Sequence, residues 1–549
     1  MDSMKIRAQL VDLHQRRIFP AEVSVEDGCI ASIQPIEKVP ASAGFLVPGF
    51  VDAHVHIESS MLPPVEFARL AVIHGTVATV SDPHEIANVL GVKGVQYMLD
   101  EARKTPFRFC FGAPSCVPAT NFETAGANVD AKAVEQLLNQ PDIGYLSEMM
   151  NFPGVLHQDP EVLAKLAAAK RLNKPVDGHA PGLRGKDAQR YFSAGISTDH
   201  ECFTYEEGLE KAQLGVKILI REGSAARNFE ALWPLLQDFP PQIMFCSDDK
   251  HPDDLIQGHI NQLATRAVAK GCDVMDVLRA ACLHPVEHYR LPVGLLRDGD
   301  PADFILVEDL IDFKVKETWL AGECVAHNGQ PLLPRQVTEK PNRFLALPKT
   351  AADFKLKANG NQGKVRVIQA LDGEIVTDEI FEEVRVHNGH LEAMPQKDLL
   401  KIVVVNRYEK HASPAVGFVR GFGLKKGALA SSVAHDSHNI VAVGTDDDAI
   451  CAAVNAIIEA KGGISATNGS GNTQILPLPI AGLMSSEDGY VLARQYATID
   501  SWVKRELGCQ FRAPFMVLSF LALPVIPALK ITDKGLFNAC KFEFVRVSV

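Results

Sequence analysis

The chain has 549 residues, 46% hydrophobic and 22% charged, a globular composition too long for one core and divisible into about two to four domains. Its 55 basic and 67 acidic residues leave a net charge of −12 with no basic block to track a phosphate backbone, which argues against nucleic acid as a partner. There is no run of about 18 apolar residues, the start "MDSMKIRAQLVDLHQRRIF" lacks a signal peptide's apolar stretch, and the 11 scattered cysteines form no CxxC, so the expectation is a cytoplasmic protein that does not enter a membrane.

Residues 5 to about 47 carry short β-rich pieces ending in the turn "VPGF". The same rhythm returns at 300–329, in "DPADFILVEDLIDFKVKETWLAGECVAHNG". Two separated β-rich flanks predict one small β-sandwich domain, residues 1–50 with 298–340, with residues 51–297 inserted into it. That insert has the size of a (β/α)8 barrel. It holds eight strand candidates: "FVDAHVHI", "VATVSDPHE", "FRFCFGAP", "GYLSEMMN", "PVDGHAPG", "GISTDHE", "VKILIREGS" and "QIMFCSDDK". Helix-like segments such as "PPVEFARLAVIHG" and "DPEVLAKLAAAKRLN" separate most of them, with apolar residues at three-to-four spacing. After "LLPRQVTEKPNRF" the texture changes, and residues 341–549 read as a separate C-terminal α+β domain.

Polar residues gather at the carboxyl ends of these strands, where such a barrel builds its active site. His54 and His56 alternate on the first strand and so face the same way. Glu148 ends the fourth strand, His179 the fifth, His200 the sixth and Asp248 the eighth. Neutral imidazole and carboxylate suit Mn, Zn or Fe(II), and this set can hold two divalent ions with one carboxylate between them. Taken singly, each has an ordinary alternative: Glu148 pairing with Arg184, Asp248 capping a helix, a strand-end histidine bonding a loop. Taken together, at the ends of five strands, they predict a metal centre.

The motifs "LVPGFVDAHVHIESS", "YLSEMMN", "DGHAPG", "STDHE" and "MFCSDD" resemble the amidohydrolase superfamily and, within it, the bacterial-type adenine deaminases. The similarity extends over nearly the whole chain, through "VAHDSHN" and "NGSGNTQILPLPIAGLMS". It implies that His54, His56 and Asp248 hold one metal, that His179 and His200 hold the other, and that Glu148 bridges them. A carboxylated lysine often takes the bridging place in relatives that hydrolyse cyclic amides, so glutamate points to the deaminase branch. "HAPG" stands where nucleoside deaminases carry HAxE, which points to the free base. The resemblance therefore implies hydrolysis of adenine to hypoxanthine and ammonia in purine salvage, with a cyclic amide or amidine as the alternative substrate. It implies two divalent ions, Mn(2+) first and Fe(2+) or Zn(2+) as alternatives, and a homo-oligomer, a homodimer in the first instance.

Asp248 is the expected proton shuttle and Glu148 the placed bridge. His84 and Glu85, in "SDPHE", are expected on the same rim, either touching substrate, binding a further cation or forming a structural pair. Asp249 either orients the purine or Asp248 or sits as a loop carboxylate, and Ser115 is expected in a loop hydrogen bond. Whether His435, Asp436 and His438 of "SVAHDSHN", or the glycine-rich "TNGSGN" at 467–472, cover the barrel mouth is left open by the sequence.

Overall fold

A computed structural model describes residues 4–40, 42–358 and 363–549. The first four strands, β1 (Met4–Asp12), β2 (Arg17–Glu26), β3 (Cys29–Pro35) and β4 (Phe45–Pro48), lead directly into the barrel. Its eight strands are β5 (Phe50–Val55), β6 (Thr76–Ser81), β7 (Arg108–Ala113), β8 (Ile143–Met149), β9 (Val176–Gly178), β10 (Thr198–Asp199), β11 (Lys217–Arg221) and β12 (Ile243–Cys246). They coincide with the eight candidates read from the sequence. All the pairings are parallel, in ladders of five (β5 to β9) and three (β10 to β12) strands.

Two seams join the ladders. At one, Ser197 N–H donates to Val176 O at 2.9 Å. At the other, Asp248 N–H donates to His54 O at 2.9 Å and His56 N–H to Asp248 O at 3.2 Å, so the backbone that closes the barrel belongs to three of the expected metal ligands. Strands covered on both faces lose the polar alternation of a half-exposed sheet; all six residues of "TVATVS" in β6 are buried. The intervening helices start where short polar side chains cap them: Asp159 accepts from the backbone of Glu161 and Val162 ahead of Pro160, and Thr204 from that of Glu207.

After the barrel the chain returns as β13 (Phe304–Val307), β14 (Val315–Leu320), β15 (Glu323–His327) and β16 (Gln330–Pro331). These strands join the first four in one sheet, in the order β16-β15-β14-β13-β4-β1-β2-β3. The β3 edge folds back onto the segment that precedes β13, Ile30 N–H donating to Asp300 O and Ala302 N–H to Gly28 O, both at 2.8 Å, around Leu10, Val23, Leu46 and Phe304. This is the flanking β-sandwich.

The C-terminal part is built on a second eight-stranded sheet. The helix Asp447–Ala460 covers one face, placing Ile450, Val454 and Ile457 against Val403, Val405 and Ile440. This α+β unit sits over the barrel mouth. Gly489 N–H donates to Glu66 at 3.0 Å, Ser485 N–H to Met61 O at 2.9 Å, and Tyr496 hydrogen-bonds His251 at 2.6 Å. Among the described residues no helix is long and apolar enough to cross a membrane.

Candidate metal and substrate site

The six expected ligands converge at the carboxyl ends of their strands, all buried. His56 Nε2 lies 3.2 Å from His54 Nε2, 3.2 Å from Asp248 Oδ1 and 3.3 Å from Glu148 Oε1. Glu148 Oε2 faces the other pair, 2.6 Å from His179 Nδ1 and 3.3 Å from His200 Nε2. Each oxygen of Glu148 thus faces one half of the cluster. Asp248 adopts a φ of 54°, in the left-handed region that Asp tolerates better than most residues. It caps no helix, and Arg184 pairs with Glu210 rather than Glu148.

This donor set fits divalent cations on its own chemistry. His56 Nδ1 donates to the Asp82 carbonyl at 3.2 Å, which leaves Nε2 a lone pair aimed at two carboxylate oxygens. Lone pair facing oxygen is repulsive, so either a proton or a metal cation has to lie between them. Donor groups around His54–His56–Asp248, His54–Glu148–His200 and His56–Asp82–His84–Glu148 are close enough to share an ion. Electrostatics point the same way. Burial opposes ionisation of Glu148 and Asp248, yet His179 and Arg221 respectively lead the partners that hold both well below the usual carboxylate range. Burial likewise disfavours the cationic forms of His56 and His200, but the carboxylates around them push both well above an ordinary histidine, so this cluster of carboxylates draws in positive charge, supplied by protons on the rings or by cations between them.

Two residues in this wall were not singled out from the sequence. Arg221, at the end of β11, is fully buried and donates to Asp248 Oδ2 at 2.8 Å and to both oxygens of Glu201, the Nη2–Oε2 bond measuring 3.1 Å. Glu201 follows His200 directly and lies 3.4 Å from its Nε2. A guanidinium directly after the apolar run "ILI", in "VKILIREGS", was the available signal, because a strand-end arginine inside a barrel needs buried carboxylates to pair with.

The rim residues divide. His84 approaches Glu148 Oε1 at 3.5 Å and Glu85 Oε1 at 3.4 Å, and Asp249 accepts a hydrogen bond from the Ser59 hydroxyl. All three line the cavity. Ser115 instead donates to the Glu148 carbonyl, the loop bond expected of it. The C-terminal unit supplies the roof: Ile375, His435, Asp436, Phe520, Leu523 and Ile526. Glu85 is gripped by His435 Nδ1 on one oxygen and His438 Nε2 on the other. "VAHDSHN" therefore covers the mouth, whereas "TNGSGN" forms a largely exposed turn, Asn468 N–H donating to Asn472 O at 3.1 Å. The space left is about 20 Å³, room for one water.

Comparisons with known proteins agree with this architecture. The model of the amidohydrolase family matches residues 45–325, and that of the adenine deaminase C-terminal domain matches 374–543. An adenine deaminase of Salinibacter ruber is 57% identical over 543 residues, covering 99% of this chain and 98% of that protein. One from Sulfurovum sp. is 57% identical over 542 residues (99% of each chain), and one from Methanosarcina barkeri 52% identical over 545 residues (98% of each chain). Barrel, roof and near-complete relatives lead to one assignment: the chain belongs to the amidohydrolase family, in its adenine deaminase branch.

Proposed function

We propose that this chain hydrolyses free adenine to hypoxanthine and ammonia in purine salvage. The observation that carries the reading is identity above one half with adenine deaminases along nearly the whole chain, joined to a complete set of buried donors. In this reading His54, His56 and Asp248 hold one ion and His179 and His200 the other, with Glu148 between them; Mn(2+) is the first choice, Fe(2+) or Zn(2+) the alternatives. Such ions, when bound, supply Lewis acidity and acidify a water to near neutrality.

The side chains do the rest. Arg221 occupies Asp248 Oδ2, so Oδ1, which faces His54 and His56, is the oxygen able to take a proton and return it to the ring or to the departing amine. Arg221 also keeps Asp248 ionised between turnovers. Glu148, surrounded by imidazoles, works by placement. His84, Glu85 and Asp249 form the polar wall that orients the purine, and Phe520, Leu523 and Ile526 form the apolar roof that excludes water. A domain division at 1–50 with 298–340, 51–297 and 341–549, a homodimer and a cytoplasmic location belong to the same proposal.

The test is to follow ammonia and chromatographic products from adenine, adenosine and a cyclic amide in parallel, with Mn(2+)-loaded protein. Hypoxanthine from adenine and little turnover of adenosine are expected. Equal efficiency on adenosine refutes the free-base reading, and turnover of the cyclic amide alone refutes deamination.

A further inference from the structure

Glu85 comes from the barrel, but both of its partners come from the C-terminal unit some 350 residues later. His438 shows which way one bond runs. The backbone N–H of Ala434 donates to its Nδ1 at 3.1 Å, so Nδ1 is an acceptor and Nε2 carries the proton that His438 donates to Glu85. The turn bearing His438 is itself held, since the fully buried Arg407 donates to His438 O at 3.4 Å and to Ala481 O at 2.6 Å. Glu85 is thereby locked rather than free to act as a base.

His435 uses only one nitrogen in this grip. Its Nδ1 bonds Glu85, and its ring stacks on Phe520 at 4.6 Å between centroids and 12° between planes. Its Nε2 is buried against the cavity and has no hydrogen-bond partner, the nearest carboxylate oxygen, Asp249 Oδ1, lying 3.6 Å away. Burial disfavours the imidazolium, but Glu85 and Asp249 outweigh it and raise the pKa to about 9, which favours a hydrogen on this unpartnered nitrogen. A buried donor without an acceptor is costly and rare in folded proteins unless something else fills the place.

We propose that His435 is a substrate-binding residue whose Nε2–H donates to N3 or N7 of the purine, with Glu85, His438 and Phe520 holding its ring in position. The inference rests on the adenine reading above and deepens it: part of the specificity for the base arrives with the C-terminal unit. Because the closed cavity holds only about one water, this wall has to draw back to admit a purine, and His435 engages as it returns.

The experiment uses full-length, Mn(2+)-loaded protein. His435→Asn keeps an amide hydrogen for Glu85 but is too short to supply the second donor. Its KM for adenine is expected to rise about 10-fold or more, the scale of a charge-assisted hydrogen bond, with a smaller change in kcat and unchanged metal content. Of 3-deazaadenine and 7-deazaadenine, measured as competitive ligands, one is expected to bind the wild-type chain more weakly than adenine by a similar factor, and to bind wild type and His435→Asn equally. His438→Leu, which removes the donor to Glu85, is expected to repeat the KM defect, and His438→Gln, which restores a donor, to recover part of it. An unchanged KM in His435→Asn, or an equal penalty on adenine and both deaza compounds, overturns the inference while leaving the deaminase reading intact. If His435→Asn does not fold, the wild-type chain still decides: equal affinity for adenine and both deaza analogues overturns it. Failure of the wild-type enzyme to form hypoxanthine overturns the adenine reading and this inference with it.

Discussion

Replacing Arg221 by Met removes the one cation, among the described residues, that touches both Glu201 and Asp248. The guanidinium is 2% exposed and the two carboxylates 3% and 5%, so solvent cannot take over its role. Breaking a buried pair from one side costs about 3–5 kcal/mol, because the orphaned charge stays behind. For a cooperative unit of barrel size, at about 2–4 °C per kcal/mol, the melting temperature should fall by about 6–20 °C. Arg221→Lys keeps the charge but not the fork that reaches two carboxylates, and should lose an intermediate amount. A second effect follows in catalysis. Arg221 is the leading cause of the depressed pKa of Asp248, so its removal raises that pKa and shifts the acid limb of kcat/KM to higher pH. Scanning fluorimetry of metal-loaded protein and pH–rate profiles measure both. A melting point within about 2 °C of wild type together with an unmoved acid limb refutes the claim that Arg221 supports this pair.

Asp248→Asn retains the shape but not the basic oxygen, and turnover on adenine should fall by about 10² or more, with steady-state kinetics and metal analysis as the check. Chelation should abolish turnover and lower the melting temperature, since ions that bind only the folded state stabilise it; re-addition of Mn(2+) should restore both at close to two ions per chain. Lys530 is fully buried, donates to the carbonyls of Ile375 and Phe520 in the roof, and has its pKa lowered by burial to about 7. The unfolded chain then binds more protons than the folded one between pH 7 and the ordinary lysine value, so stability should rise with pH across that window. Denaturant titrations of Lys530→Met should lack that rise.

The barrel was legible because each of its parts leaves a local mark: short apolar runs for strands, three-to-four spacing for helices, and a polar residue where each strand ends. His54, His56, Glu148, His179, His200 and Asp248 were readable for that reason, each standing at a strand terminus in a counted series. Arg221 and Glu201 stand at such termini too, but their part depends on a contact between neighbouring strands, which no spacing within one strand records. The grip of His435 and His438 on Glu85 lies further from reach, since it depends on how one domain lies across another. Phe520, Leu523 and Ile526 look in the sequence like any apolar stretch, and only the docking of the C-terminal unit turns them into a roof.

The shared sheet has a consequence for biosynthesis. β4 pairs with β1 on one side and with β13 on the other, yet β13 begins about 250 residues after β4 ends. At about 5–20 residues per second, a ribosome finishes β4 roughly 13–50 s before it supplies that neighbour. Throughout that interval one edge of β4 carries unpaired backbone groups, while the barrel strands it leads into are still being made. A chain that stalls in the barrel thus presents an open β-edge to other chains, and completion of the barrel, by returning β13 to β4, also seals the part of the molecule most able to aggregate.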